Sequence, residues 1–122
     1  MQIHESAENY LETILVLHRE KNAVRSIDIA NELGFSKPSV SVAMKKLREN
    51  GYVSMDPSGA ITLLEPGLEI AERIYERHKV LTELFESFGV DHDIAARDAC
   101  KVEHDLSPET FEALKKYYQK TK

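Results

Sequence analysis

Residues 26–51 read SIDIANELGFSKPSVSVAMKKLRENG. Two helices joined by a tight turn are written into that stretch. Ser26 is a good N-cap, and Ile27, Ala30 and Leu33 then recur at helical spacing until Gly34 stops the helix. After Gly34-Phe35, Ser36 caps a second helix with Pro38 in its first turn, where a missing N–H costs little and φ is already suitable. Val40, Met44 and Leu47 form the inward stripe of that helix. The opposite face carries Ser36, Lys37, Ser39, Ser41, Val42, Lys45 and Lys46, and no acidic residue occurs from Lys37 to Arg48. Such a helix suits the DNA major groove, with small side chains at base edges and lysines at phosphates. The pattern also describes a helical hairpin with a solvated lysine face. Turn, caps and charge segregation together favour the groove.

Upstream, residues 5–20 predict a helix with Ala7, Tyr10, Leu11, Ile14 and Leu17 on one stripe and acidic residues in its first turns. Asn9 and Glu12 lie three apart on another face, near Glu5 and Glu8. Downstream, Tyr52–Met55 and Ala60–Leu63 read as short strands around the turn Asp56-Pro-Ser-Gly59, a wing whose tip offers Ser58 to a phosphate. Pro66-Gly67 opens a long helix to about Phe88, with Ala71, Ile74, His78, Leu81, Phe85 and Phe88 on its stripe. A histidine there is either a satisfied core residue or a ligand. Gly89 ends that helix. Asp91 starts another that runs through His104, packing Ala95, Ala99, Val102 and Leu106, and Ser107-Pro108 caps a last helix to about Tyr118.

Composition bounds the class. The 122 residues make one compact domain, or a small DNA-binding lobe with a helical partner lobe, and 42% hydrophobic content is ordinary for a folded chain. No apolar run is long enough to span a bilayer, and the N-terminus has no signal-peptide pattern, so a cytoplasmic location is expected. One cysteine rules out an internal disulfide framework. The net charge of −5 argues against indiscriminate nucleic-acid binding. Up to Leu64 the chain has 7 Lys/Arg and 8 Asp/Glu, whereas the remainder has 9 and 13, so the acidity sits mostly in the C-terminal part.

Cys100, Glu103 and His104 stand at i, i+3 and i+4, bringing a thiol, a carboxylate and an imidazole to one side of a helix end. A soft sulfur with nitrogen and oxygen donors suits a first-row transition metal better than magnesium or calcium. Alternatively, Cys100 is a nucleophile with His104 as base. That chemistry also needs oxyanion donors and a cleft, and no glycine-rich loop adjoins the stretch, so no enzyme is expected.

The residues carry a family likeness. Glu8-Asn-Tyr-Leu-Glu12, Ile29-Ala-Asn-Glu-Leu33, Ser39-Val-Ser41, Leu64-Glu-Pro-Gly67, His78 and Cys100-Lys-Val-Glu-His104 together resemble the diphtheria-toxin-repressor and manganese-transport-regulator family of metal-dependent transcriptional repressors. The resemblance spans essentially the whole chain. It implies a mainly α fold, with a winged helix-turn-helix domain at 1–65 and an all-helical metal-binding and dimerisation domain at 66–122. It further implies a homodimer on double-stranded palindromic operator DNA, with Mn(II) or Fe(II) as corepressor controlling metal-uptake genes. Zn(II) is a further ligand expected in vitro.

Position by position, the resemblance implies Glu12, His78, Cys100, Glu103 and His104 as metal ligands, holding one ion or two. Asn9 stands where the iron regulators have methionine and the manganese regulators aspartate, and can ligate through its side-chain carbonyl. Cys100 is iron-regulator-like and Glu12 manganese-regulator-like. Ala96 and Thr82 replace ancillary-site ligands of the iron regulators, so their second site is expected to be absent in that form. With the sequence ending at Lys122, the extra SH3-like domain of the longer iron regulators is expected to be absent. For DNA, the resemblance points to Ser36, Pro38 and Val42 in the groove. Val42 replaces a glutamine of the iron regulators, which exchanges a base hydrogen bond for apolar contact with a thymine methyl. Lys37, Ser39, Ser41, Lys45 and Lys46 then meet phosphates. The competing functional class is a metal-independent winged-helix regulator that senses an organic ligand or a partner protein.

Overall fold

The computed structural model describes residues 5–121. Its elements are α1 (Glu5–Glu20), α2 (Ser26–Leu33), α3 (Lys37–Glu49), β1 (Val53–Met55), β2 (Ile61–Leu63), α4 (Glu65–Ser87), α5 (His92–Val102) and α6 (Pro108–Thr121). The fold is mainly helical with a two-stranded wing, as the periodicity predicts. None of these helices is long and apolar enough to cross a membrane. Contacts divide the chain into two units, with the division inside α4 between Glu72 and Arg73.

The first unit is built on the α1 stripe. Ala7, Tyr10, Leu11, Ile14 and Leu17 are all buried, together with Val24, Ile29, Ala30, Val40, Met44, Leu47, Val53, Ile61 and Ala71. The expected inward stripe of α3 is therefore the observed one. The α2 stripe differs from expectation. Ile27 is 37% exposed while Ile29 is fully buried. Ser26 is not the cap either: Arg25 occupies that position in extended backbone, and its N–H donates to Asp28 Oδ2 at 2.9 Å. A carboxylate at the third helical position accepts the cap residue's own N–H and sits at the positive end of the dipole, so Asp28 supplies the returning half of a capping box. Its hydrogen bond from Lys21, and then that from the Arg25 N–H, hold the Asp28 carboxyl below the usual carboxylate range.

Gly34, at φ 70°, ends α2, and the Phe35 N–H returns to the Ala30 carbonyl at 3.1 Å, the long bond of a Schellman turn. Ser36 then caps α3, accepting the Ser39 N–H at 3.3 Å, with Pro38 in the first turn as expected. Replacing that cap, Ser36→Ala, is expected to cost about 1 kcal/mol. Thermal unfolding will report it as a midpoint lowered by a few degrees, with no change in the helix content of the folded baseline.

The wing pairs antiparallel, with Val53 opposite Leu63, Ser54 opposite Thr62 and Met55 opposite Ile61. Its turn is held by Asp56 Oδ1, which accepts the Ser58 N–H at 2.9 Å, the Ala60 N–H at 3.0 Å and the Ser58 hydroxyl at 2.7 Å. These bonds, the Ser58 hydroxyl first, pull the Asp56 carboxyl below its ordinary range. The wing is tied down on its β2 side. The Ile61 N–H donates to the Val24 carbonyl at 2.7 Å, and His18 Nε2 lies 2.8 Å from the Ile61 carbonyl oxygen.

In the second unit Ile74, Leu81, Leu84, Ala95, Ala99 and Phe111 are buried. Phe88, expected on the inward stripe, is 68% exposed. The helix stops at Ser87, Gly89 turns the chain at φ 92°, and Leu84 takes the inward position. Asp91 caps α5 as expected, accepting the Asp93 N–H, and Ser107 caps α6 by accepting the Thr110 N–H at 3.1 Å. Helix α5 ends at Val102 instead of running through His104, so Glu103 and His104 lie in the turn that follows it. Val102 and Leu106 are half-buried, and α6 continues three residues past Tyr118 to Thr121.

Candidate metal centre and nucleic-acid interface

On α3 the core stripe orients the rest. With Val40, Met44 and Leu47 buried, the residues between them face outward, and Ser36, Lys37, Pro38, Ser39, Ser41, Val42, Lys45 and Lys46 are all exposed. Val42, at 56% exposure, is an apolar side chain in the middle of a polar and cationic surface. The Ser36 hydroxyl donates to Ser39 Oγ at 2.9 Å while its oxygen caps the helix, so its proton and acceptor site both serve α3. The Ser58 proton is likewise committed to Asp56. The wing does carry a cation that sequence reasoning passed over: Arg25, whose Nε donates to the Ser58 carbonyl at 3.2 Å. Its place just before the first helix of the turn gives no hint that the wing folds back beside it.

In the second unit, His78 on α4 and Glu103 after α5 are brought together from 25 residues apart, with Nδ1 2.9 Å from Oε2. The other oxygen, Oε1, lies 3.4 Å from His104 Nε2 and has no hydrogen-bond partner. The Glu103 side chain is 0% exposed, that of His104 1% and that of His78 32%. A carboxylate taken wholly out of water needs a counter-charge and a full set of hydrogen bonds. Glu103 has one short bond from an imidazole and an oxygen left over. A divalent cation fits this donor set, since it supplies both the missing charge and the missing bond.

Cys100 is exposed on α5 and is not in a disulfide. Asn9 and Glu12 are half-buried on α1, in the first unit. Within the second unit no three His, Cys, Asp or Glu ligand atoms lie within 4.8 Å of one another among the described residues. His78 and Glu103 are thus the start of a centre, not a complete one. Sequence reasoning missed Arg77, the neighbour of His78, which is 6% exposed with Nη1 donating to the carbonyls of Glu103 at 3.0 Å and Leu106 at 2.7 Å.

Comparison with known proteins bears on both surfaces. Residues 2–61 match the family model of the iron dependent repressor N-terminal DNA binding domain, and residues 64–122 that of the iron dependent repressor metal binding and dimerisation domain. The chain belongs to the DtxR/MntR family of metal-dependent transcriptional repressors. Over 120 residues it is 38% identical to an uncharacterized HTH-type transcriptional regulator of Methanocaldococcus jannaschii, covering 97% of this chain and 96% of that protein. Over 116 residues it is 35% identical to the transcriptional regulator MntR of Escherichia coli, covering 95% of this chain and 75% of that protein. A solved manganese-dependent transcriptional repressor in complex with manganese superposes at a TM-score of 0.84, with 26% identity, over 93% of this chain and 52% of that one. The chain spans about half the length of that structure. DtxR/MntR proteins are DNA-binding regulators and not enzymes. The exposed α3 face and the buried Glu103 lie in the regions matched to the DNA-binding and metal-binding domains respectively.

Proposed function

We propose that this chain is a Mn(II)- or Fe(II)-responsive repressor of metal-uptake genes that binds a palindromic operator as a homodimer. The observation that carries the reading is the fully buried Glu103 carboxylate, with one oxygen bonded to His78 and the other lacking a hydrogen bond. Glu12, His78, Cys100, Glu103 and His104 are the proposed ligands, with Asn9 beside Glu12. The cation supplies the positive charge that lets these carboxylates share one place. His78 is hydrogen-bonded to one oxygen of Glu103, and His104 lies beside the other. The buried donors are oxygen and nitrogen, which suit Mn(II) and Fe(II) alike.

In this reading Ser36, Pro38 and Val42 meet bases, Val42 packing on a thymine methyl, while Lys37, Ser39, Ser41, Lys45 and Lys46 meet phosphates. Ser58 and Arg25 touch the backbone from the wing. Metal binding sets the spacing of the two recognition helices in the dimer, so that both half-sites are engaged together. A coupling of about 1–3 kcal/mol makes a useful switch, and DNA must tighten metal binding by the same factor.

Operator affinity measured with and without Mn(II) or Fe(II) tests the proposal. The expected result is tighter binding with metal by roughly 5- to 150-fold. Lys45→Ala or Lys46→Ala should each lower the salt dependence of binding by about one phosphate contact. Equal operator affinities in chelator and in metal would overturn the reading and leave the metal-independent regulator in its place.

A further inference from the structure

We propose that Arg77 is a positioning residue of the metal centre, clamping the carbonyl end of α5 and so fixing where Glu103 and His104 stand. The inference rests on the reading of Glu103 and His104 as metal ligands, and adds a residue outside that ligand set.

The last carbonyls of a helix lack intrahelical donors, and most helices satisfy them with a glycine turn or with water. Helix α5 has neither glycine nor proline at its end. The turn that follows it is met by one nitrogen of Arg77, which donates to the carbonyls of both Glu103, the cap residue, and Leu106. The guanidinium carbon lies 5.3 Å from the ring centre of buried Phe111, and Nε is buried without a hydrogen-bond partner. Among the described residues no carboxylate pairs with Arg77. Burying an unpaired guanidinium is a costly way to cap a helix. What it achieves is registration. Arg77 and His78 are adjacent on α4 and hold Glu103 at its two ends, one at the main-chain carbonyl and the other at the carboxylate. The turn from 103 to 106, which carries both Glu103 and His104, is thereby locked to α4, and the positive charge sits at the negative end of α5.

The test uses the full chain as wild type, Arg77→Met, Arg77→Lys and Lys115→Met, with Mn(II) alone as titrant, the Co(II) absorption spectrum as a geometric readout, and hydrogen exchange of the metal-free protein. Arg77→Met keeps length and packing on Phe111 but removes both hydrogen bonds. It is expected to weaken Mn(II) binding about 10-fold or more, the effect typical of losing a group that orients ligands. It should also shift the Co(II) spectrum and speed amide exchange at 103–106. Arg77→Lys, able to serve one carbonyl, should recover part of the affinity. Lys115→Met, which breaks the exposed pair with Glu76 on the same helix, should change neither affinity nor spectrum. A folded Arg77→Met with wild-type affinity and spectrum overturns the proposal, even if its melting point falls. If Arg77→Met does not fold, a folded Arg77→Lys with wild-type affinity and spectrum overturns it instead. Wild type that takes up no Mn(II) removes the metal reading itself, a different failure.

Discussion

Glu103→Gln is expected to yield a folded protein that has lost its response to metal. The substitution keeps the shape of a side chain that has no exposed surface, and the amide oxygen can still accept from His78 Nδ1. What it removes is the charge. Without metal, wild type bears the cost of a buried carboxylate with one oxygen lacking a hydrogen bond, so the neutral variant should be as stable or slightly more so. With metal the order reverses. Wild type should gain about 2.7 kcal/mol at a free Mn(II) concentration of 100 times Kd, while the variant, binding about 100-fold more weakly, should gain well under 1 kcal/mol. Melting curves with and without Mn(II) read both signs in one experiment. A Glu103→Gln protein whose melting point still climbs with Mn(II) as wild type does would remove Glu103 from the centre. Glu103→Ala loses the same response but also opens a hole in a fully buried site, so its apo form should be destabilised where the glutamine form is not.

Gly67→Ala should destabilise the DNA-binding unit by about 2 kcal/mol, against the ordinary rule. Within a helix, alanine normally gains roughly 0.5–1 kcal/mol over glycine. Gly67 lies in the first turn of α4 with no unusual φ, so helix propensity predicts stabilisation. A Cβ at this position would clash with the Tyr52 carbonyl oxygen and stand 3.3 Å from the Leu11 side chain. The clash is with backbone, and that carbonyl accepts the Leu64 N–H at 3.0 Å, so neither partner moves without breaking the join between the wing and α4. Denaturant unfolding of the variant against wild type decides it, and an unchanged or raised midpoint would show that α4 can shift away.

These two positions mark how far the sequence could be read. The stripes of α1 and α3, the Gly34 turn, the Ser36 cap, the wing turn and the caps of α5 and α6 were legible, because each is a rule about neighbours within four residues. Ile27, Phe88 and the end of α5 were misplaced. In each case the helix starts or stops one or two residues from where the pattern places it, and periodicity does not register so small a shift. Ser26 was displaced as the cap because the helix starts one residue earlier, which makes Arg25 the cap position and lets Asp28 accept the Arg25 N–H.

Glu103 and His104 were legible as residues with donor chemistry at close spacing, and His78 as a histidine on an apolar stripe. Their pairing was not, since it closes 25 residues of chain and depends on α4 meeting the turn after α5. Arg77 was invisible for the same reason. In sequence it is one more cation on a charged helix, and its two acceptors are main-chain carbonyls, which every residue possesses. Local chemistry wrote down the helices, their caps and the inventory of ligands. Long-range packing chose which carboxylate lost its water, which arginine went inside with it and which glycine could not bear a methyl, because each of those depends on what another part of the chain brings to the same few ångströms.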